Sequence, residues 1–486
     1  MQGPYFVNPK TGYRVEIVGV AYQPGGSAGY DKAAGRDPLS DPDICLRDAA
    51  LLQIMGVNTI RVYNVNPDLN HDKCASIFNA AGMYMVLDVN SPLVGDSLTS
   101  DKPWESYYAA YLNRTFAVVE AFKSYPNTLA FFSGNEVLNN VETGATVPPY
   151  VRAVTRDIKN YVKKHSSRAI PVGYSAADVR SILFDTYNYF QCSLKGDDGD
   201  MSKGDIFALN SYSWCGESSF KTASYDQLVS GFTGNSVPIF FSEYGCNTPS
   251  PRGFSEVSTI YGSQMDSIFS GGVVYEYTEE PNNYGLVNMS TDGSAILMTD
   301  YLNLRSQYAK LNFTAIQGQK PPSGSTASAP VCESKLITTK GFNNNFTLPV
   351  LPPGAAEIIS KGVSPTPVGK LVEITNWKVK FTVKNPDGSV ITNLAVKPLG
   401  ADEINRASPF STLLPKTDCS WLTNRDRLDP GSNTDSGTQA GTDSTGTSTS
   451  SSPSATASKD AAARPAAVVL PAMAMGAFAV MAGIAL

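Results

Sequence analysis

The sequence predicts an α/β fold: a (β/α)8, or TIM, barrel followed by a small all-β domain. Three observations predict it. Eight short apolar runs recur over residues 1–316 with helical patterns between them, as parallel strands buried on both faces require. No glycine-rich phosphate loop follows the first run, although alternation alone does not separate a barrel from a doubly wound open sheet. After a Pro-, Ser- and Gly-rich stretch the pattern changes to alternating strands and turns.

The strand candidates are residues 16–21, 59–63, 83–88, 129–133, 170–174, 206–212, 238–243 and 273–277. Asp41-Pro42-Asp43 opens a helix that runs through Leu46, Leu51, Leu52 and Met55 and stops at Gly56. Residues 104–125 read as one long amphipathic helix, and 151–164 and 256–269 as two more. Residues 317–333 form the linker. In 334–425, the segments 346–348, 371–375, 378–383 and 390–396 read as strands, with a hairpin turn at Asn385-Pro386-Asp387-Gly388. Packing against the barrel is the expected role of this β domain. Residues 426–458 are a Ser/Thr-rich stalk that does not fold. Residues 459–486 match a glycosylphosphatidylinositol (GPI) attachment signal: small residues, a short spacer with Lys459, Asp460 and Arg464, then an uncharged tail. Ser454 is the expected attachment residue. A tail-anchored membrane helix is the rival, but no Lys or Arg follows the apolar run.

Composition narrows the chemistry. Charged residues make up only 17% of the chain and no basic stripe occurs, which argues against nucleic acid as a partner. Two histidines, His71 and His165, both read as loop or solvent-facing, leave little material for a zinc hydrolase or a His-dependent triad. Asp197-Asp198-Gly199-Asp200 lacks the spaced Glu of a calcium loop and reads as solvated. Seven cysteines occur without a CxxC pair, beside sequons at Asn113, Asn288, Asn312 and Asn345. Together with the tail they point to the secretory route, disulfides and N-glycosylation. Met1-Gln2-Gly3-Pro4 leads straight into a strand-like segment, so the sequence is expected to begin near a mature domain.

Two glutamates carry the functional reading. Glu136 ends Phe131-Phe132-Ser133-Gly134-Asn135-Glu136, and Glu243 lies in Phe240-Phe241-Ser242-Glu243-Tyr244-Gly245. On the barrel reading they follow strand four and end strand seven, on the face where barrel active sites lie. An isolated strand-end Glu is usually an exposed loop carboxylate. Two of them, each behind an aromatic strand, are the pair that a retaining glycosidase uses as acid/base and nucleophile. Asn135 is placed to hold a sugar 2-hydroxyl, and Tyr275 to donate to Glu243. Asp88 is read either as orienting a sugar or as capping the following turn. Glu276, between Tyr275 and Tyr277, is read as facing away and structural.

These segments, with Gly19-Val20-Ala21-Tyr22-Gln23-Pro24-Gly25-Gly26, Arg61-Val62-Tyr63-Asn64, Asn210-Ser211-Tyr212-Ser213-Trp214-Cys215-Gly216 and Asn283-Tyr284-Gly285-Leu286, resemble fungal cell-wall β-1,3-glucanosyltransferases, glycoside hydrolase family 72. The resemblance covers the barrel, with the motifs in the family's order. It implies that Glu136 is the acid/base and Glu243 the nucleophile. It implies that Gln23, Tyr63, Asp88, Asn135, Asn210, Tyr212, Tyr275 and Tyr284 line the substrate site. It implies disulfides Cys45–Cys74, Cys192–Cys332 and Cys215–Cys246. Only Cys419 follows Cys332, so the likeness is to members without the cysteine-rich C-terminal module. The implied reaction cuts a β-1,3-glucan internally and passes the new reducing end to the non-reducing end of another glucan. It uses no metal, cofactor or nucleotide sugar. The implied setting is the outer face of the plasma membrane, through the GPI anchor, and the cell wall. A monomer is expected.

Two other functions fit the residues. A plain endo-β-1,3-glucanase would pass the same glycosyl-enzyme to water. Tyr-rich loops such as Tyr107-Tyr108-Ala109-Ala110-Tyr111 are candidates for the acceptor subsites that would favour transfer. A non-catalytic glucan-binding wall protein would be marked by loss of either glutamate, and both are present.

Overall fold

In the computed structural model the described residues are 1–407, without 198, 325, 326, 365, 366, 401 and 402. Eight parallel strands close into a barrel: β1 (Ile17–Ala21), β2 (Thr59–Val62), β3 (Tyr84–Asp88), β4 (Thr128–Asn135), β5 (Val172–Ala177), β6 (Ile206–Ser211), β7 (Ile239–Tyr244) and β8 (Phe269–Val274). β8 pairs back onto β1, with Val273 opposite Gly19. The helices are α1 (Pro42–Ile54), α2 (Asp72–Ala80), α3 (Pro103–Ser106), α4 (Ala109–Phe122), α5 (Val141–Thr146), α6 (Pro148–His165), α7 (Leu183–Gln191), α8 (Tyr225–Gly231), α9 (Val257–Ile260), α10 (Thr299–Ala309), α11 (Phe313–Gln317) and α12 (Ala355–Lys361). No helix among the described residues is long and apolar enough to cross a membrane.

Local chemistry explains where these elements start and stop. The Asp41 carboxylate accepts the free N–H groups of Asp43 (2.9 Å) and Ile44 (3.2 Å) at the start of α1. The helix expected over 104–125 is two helices. The chain is extended at Tyr108, and Tyr107 turns inward to donate to Asp157. Of the helix expected over 256–269, only the single turn α9 forms. Strand eight lies four residues before its expected start, because Gly271-Gly272 interrupts the apolar run. Both glycines are required there: a Cβ on Gly271, at φ +81°, would lie 2.1 Å from the Ile17 carbonyl oxygen.

The barrel interior is layered. Ile17, Ala21, Val86, Ala130, Phe132, Ile206, Ala208, Phe240 and Val273 fill its lower part, with Phe6 packed against Phe240 at 5.9 Å. Nearer the strands' C-terminal ends the buried side chains turn polar: Arg61, Asp88, Ser175, Asn210 and Ser242. These polar groups form the floor of the site.

A second small sheet is present, made of β9 (Val287–Met289), β10 (Ala295–Leu297) and β11 (Val383–Lys384). Strands do not form at 346–348 or 371–375. That chain runs instead across the outer faces of the helices. Phe346 stacks on Tyr189 of α7 at 4.7 Å. The Val363 N–H donates to Tyr161 of α6 (3.1 Å), and those of Lys370 and Val372 donate to Asp72 and Ser76 of α2 (both 2.9 Å). Lys397 and Gln53 of α1 exchange two hydrogen bonds of 2.8 Å. Alternation over 346–375 marks an extended chain half-buried on helices, whereas the segments on either side of the turn at Asn385-Pro386-Asp387-Gly388 do pair antiparallel, Lys378 with Ala395 and Lys384 with Val390. This belt also covers His165, whose Nε2 meets the Ile359 carbonyl at 2.8 Å. His71 is buried, 2.7 Å from Asp37, and His165 is half-buried.

Three disulfides are present among the described residues. Cys45–Cys74 ties α1 to α2, Cys215–Cys246 ties the loops after β6 and β7, and Cys192–Cys332 ties the end of α7 to the start of the belt. Beside the last, buried Arg152 donates to Asp200 (2.7 Å) and to the Cys192 carbonyl (2.7 Å), so Asp200 is a structural anion and not a solvated one. Asn113, Asn288, Asn312 and Asn345 are all exposed. The stalk, the tail, Cys419 and Ser454 lie outside the described residues.

Candidate active site

Two register shifts bring the glutamates together. Between β4 and β5, Phe132 is opposite Gly173 and Asn135 opposite Ser175, so β4 carries one extra residue. Between β6 and β7, Leu209 is opposite Phe241 and Asn210 opposite Glu243, so β7 also carries one extra. Such bulges re-aim side chains at a barrel rim. The second lets neighbouring Ser242 and Glu243 both reach the interior. Glu136 follows β4 in a left-handed conformation, φ +49°, unusual for a residue with a side chain. Its N–H is held by the Ser175 carbonyl at 2.9 Å.

Arg61 is the hub. Its guanidinium lies over Phe132 (5.0 Å) and Tyr63 (4.5 Å) and is fully buried. It donates to Glu243 Oε1 (3.0 Å), Asp88 Oδ2 (3.0 Å), Asn135 Oδ1 (2.8 Å) and Asn210 Oδ1 (3.3 Å). Glu243 also accepts from the Tyr63 hydroxyl (2.9 Å) and, on Oε2, from the Tyr212 hydroxyl (2.6 Å). Three donors, one of them a cation, are the partner set of an ionised carboxylate.

Glu136 has a different environment. It accepts one hydrogen bond, from Asn210 Nδ2 at 2.8 Å. Burial, and then the nearby Glu243 charge, push its pKa up to about 7. One carboxyl is therefore kept able to give a proton while the other is held as an anion, the division of labour in a retaining glycosidase. Asp88 is pushed up to about 6 by burial, against the pull of Arg61. Its side chain points to the site, so the turn-capping role does not hold.

Of the residues expected to line the substrate site, Asn135 uses its Oδ1 on Arg61, Ser175 and Asn210, which leaves Nδ2 without a partner among the described residues. The buried Gln23 amide and Asp88 Oδ1 likewise lack protein partners there. Each is a donor or acceptor of the kind a sugar hydroxyl satisfies. Tyr275 and Tyr284 stand edge to face at 5.4 Å, and each stands edge to face with Tyr212, at 6.2 and 5.6 Å. Tyr275 does not donate to Glu243; Tyr63 and Tyr212 hold those positions. Glu276 is buried and pushed up to about 7 by burial, and it accepts from Asn282 at 3.1 Å. β8 ends at Val274, so strand alternation does not set the direction of Glu276. Tyr107 and Tyr111 are buried and donate to Asp157 and Asn90, so they supply no acceptor subsite.

Arg61 stands in the motif Arg61-Val62-Tyr63-Asn64, which by itself assigns it no role. The signal was a lone charge inside the apolar strand Thr59-Ile60-Arg61-Val62. Ser175 and Ser242, whose hydroxyls lie 2.8 Å apart beneath Asn210, left no such mark.

A parallel eight-stranded barrel with paired carboxylates at the C-terminal ends of strands four and seven defines a glycosidase-type enzyme. The glucanosyltransferase model of glycoside hydrolase family 72 matches residues 1–312, and the chain belongs to that family. It is 52% identical over 412 residues to the 1,3-beta-glucanosyltransferase gel2 of Aspergillus fumigatus, covering 85% of each chain. It is 49% identical over 391 residues to the probable 1,3-beta-glucanosyltransferase GAS3 of Saccharomyces cerevisiae, covering 77% of this chain and 74% of that one. Among solved structures it is similar to a point mutant of Saccharomyces cerevisiae Gas2p in complex with laminaritetraose and laminaripentaose. There the TM-score is 0.62 and the identity 36%, over 72% of this chain and 74% of that one.

Proposed function

We propose that this protein is a retaining β-1,3-glucanosyltransferase that elongates cell-wall glucan. The observation that carries the reading is the unlike pair: Glu136 raised to about 7 beside Glu243 held by Arg61, Tyr63 and Tyr212. Glu243 attacks the anomeric carbon of a β-1,3-glucan while Glu136 gives its proton to the departing O3. The leaving chain carries that proton away. Glu136, now a base, takes the proton from the O3 hydroxyl of an acceptor glucan, whose oxygen displaces Glu243. One glycosidic bond breaks, one forms, and both carboxyls return to their starting states. The relatives named for this activity, and the laminari-oligosaccharides bound by the Gas2p mutant, support β-1,3-glucan as donor and acceptor.

The proposed location is the outer face of the plasma membrane, through a GPI anchor, and the cell wall. Three disulfides and four exposed sequons support an oxidising, secretory setting. The test of function incubates residues 1–425 with a reduced β-1,3-gluco-oligosaccharide and reads the products by mass spectrometry. Products longer than the substrate are expected. Only shorter products would make the protein a glucanase, and an unchanged substrate would leave a wall-binding role.

A further inference from the structure

Arg252 lies behind the site and touches none of the residues expected to react. It is only 2% exposed, and its guanidinium gathers three loops. Nη1 donates to the carbonyls of Gly245 (3.3 Å) and Tyr275 (2.6 Å), and Nη2 to that of Tyr284. Gly245 lies two residues after Glu243; Tyr275 and Tyr284 carry the ring wall. The group is itself anchored. Nε donates to Asp300 Oδ2 (2.6 Å), and the Arg252 N–H donates to the other oxygen of Asp300 (3.2 Å). Asp300 sits in the first turn of α10, where the helix favours a negative charge. The rings of Phe254 (4.7 Å) and Tyr284 (5.6 Å) lie against the guanidinium.

Carbonyls from three separate segments need donors in a fixed plane to be satisfied together. Only a guanidinium spreads its N–H groups that way; a lysine ammonium offers its donors from one point. We propose that Arg252 is a positioning residue for sugar binding. It fixes the backbone behind Tyr275 and Tyr284, and so fixes the ring wall against which Tyr212 carries its hydroxyl to Glu243. The inference rests on the glucanosyltransferase reading, because it assigns those rings to the sugar site.

The test is Arg252→Lys, assayed on a series of reduced β-1,3-gluco-oligosaccharides, with folding checked by circular dichroism. Displaced rings bind sugar poorly in ground state and transition state alike, so KM should rise by roughly tenfold or more while kcat changes far less. If Arg252 acts through the wall, adding Arg252→Lys to Tyr284→Ala raises KM little further. A folded Arg252→Lys enzyme with wild-type KM overturns the proposal, as does an effect that multiplies fully with Tyr284→Ala. Should Arg252→Lys not fold, Phe254→Leu removes one stacking face and keeps every hydrogen bond; an unchanged KM there also overturns it. Wild-type chain elongation is measured alongside. Its absence would refute the activity, while its presence with an unaltered variant would refute only the role of Arg252.

Discussion

Glu136 and Glu243 have the same side chain, and their neighbours divide the work between them. Glutamine is nearly isosteric with both and has no acidic proton or anionic oxygen to offer. Glu136→Gln and Glu243→Gln should each abolish turnover while leaving the circular dichroism spectrum unchanged. The pH profile follows from the raised acid. In the proposed mechanism Glu136 is protonated for the first step, and burial pushes its pKa up to about 7, so kcat/KM should fall as pH rises through about 7, by roughly tenfold per unit beyond it. A pH–rate series on the reduced oligosaccharide checks this. At this scale the acids were legible, since Asn135-Glu136 and Ser242-Glu243 sit at strand ends in the sequence itself. Arg61 was not, because its role depends on Asp88, Asn135, Asn210 and Glu243, from four other strands. Nor was the geometry of Tyr275, one residue past a strand whose end the glycines concealed.

Among the elements, the two bulges matter most to the site and leave the least trace in the sequence. A bulge is a mismatch between two strands, and no single strand's periodicity records it. Parallel strands buried on both faces were easier, since continuous apolar runs such as Ile239-Phe240-Phe241 have no other stable use at that length. Helix starts were legible where a side chain caps them. Removing the Asp41 cap with Asp41→Ala should cost about 1 kcal/mol, measured by denaturant unfolding, with no change in activity. The break between α3 and α4 was hidden because Tyr107 and Tyr108 fit the apolar period. What divides the helices is the tertiary bond from Tyr107 to Asp157.

The whole molecule buries more carboxyls than its chemistry uses. Glu16, Glu136, Glu256 and Glu276 are each raised from 4.5 to about 7, with burial the first cause. Between those values the folded chain binds more protons than the unfolded one. The stability contributed is complete below 4.5 and is lost as pH rises through about 7. The thermal midpoint should therefore fall between about pH 5 and about pH 8, and Glu136→Gln, which removes one of these groups, should lessen the fall. The belt was the least legible part of the fold: its alternation is genuine, but the surface it alternates against is helical and distant in sequence.

The same belt bears on what happens when the backbone is cut. The exposed stretch ahead of Cys332 is the natural place for a protease to nick, and Cys192 and Cys332 lie on opposite sides of any such cut. Subtilisin-clipped protein should still migrate as one species on a non-reducing gel and keep its activity, then separate into two pieces once thiol is added. A severed chain held in this way would go on working as a single molecule.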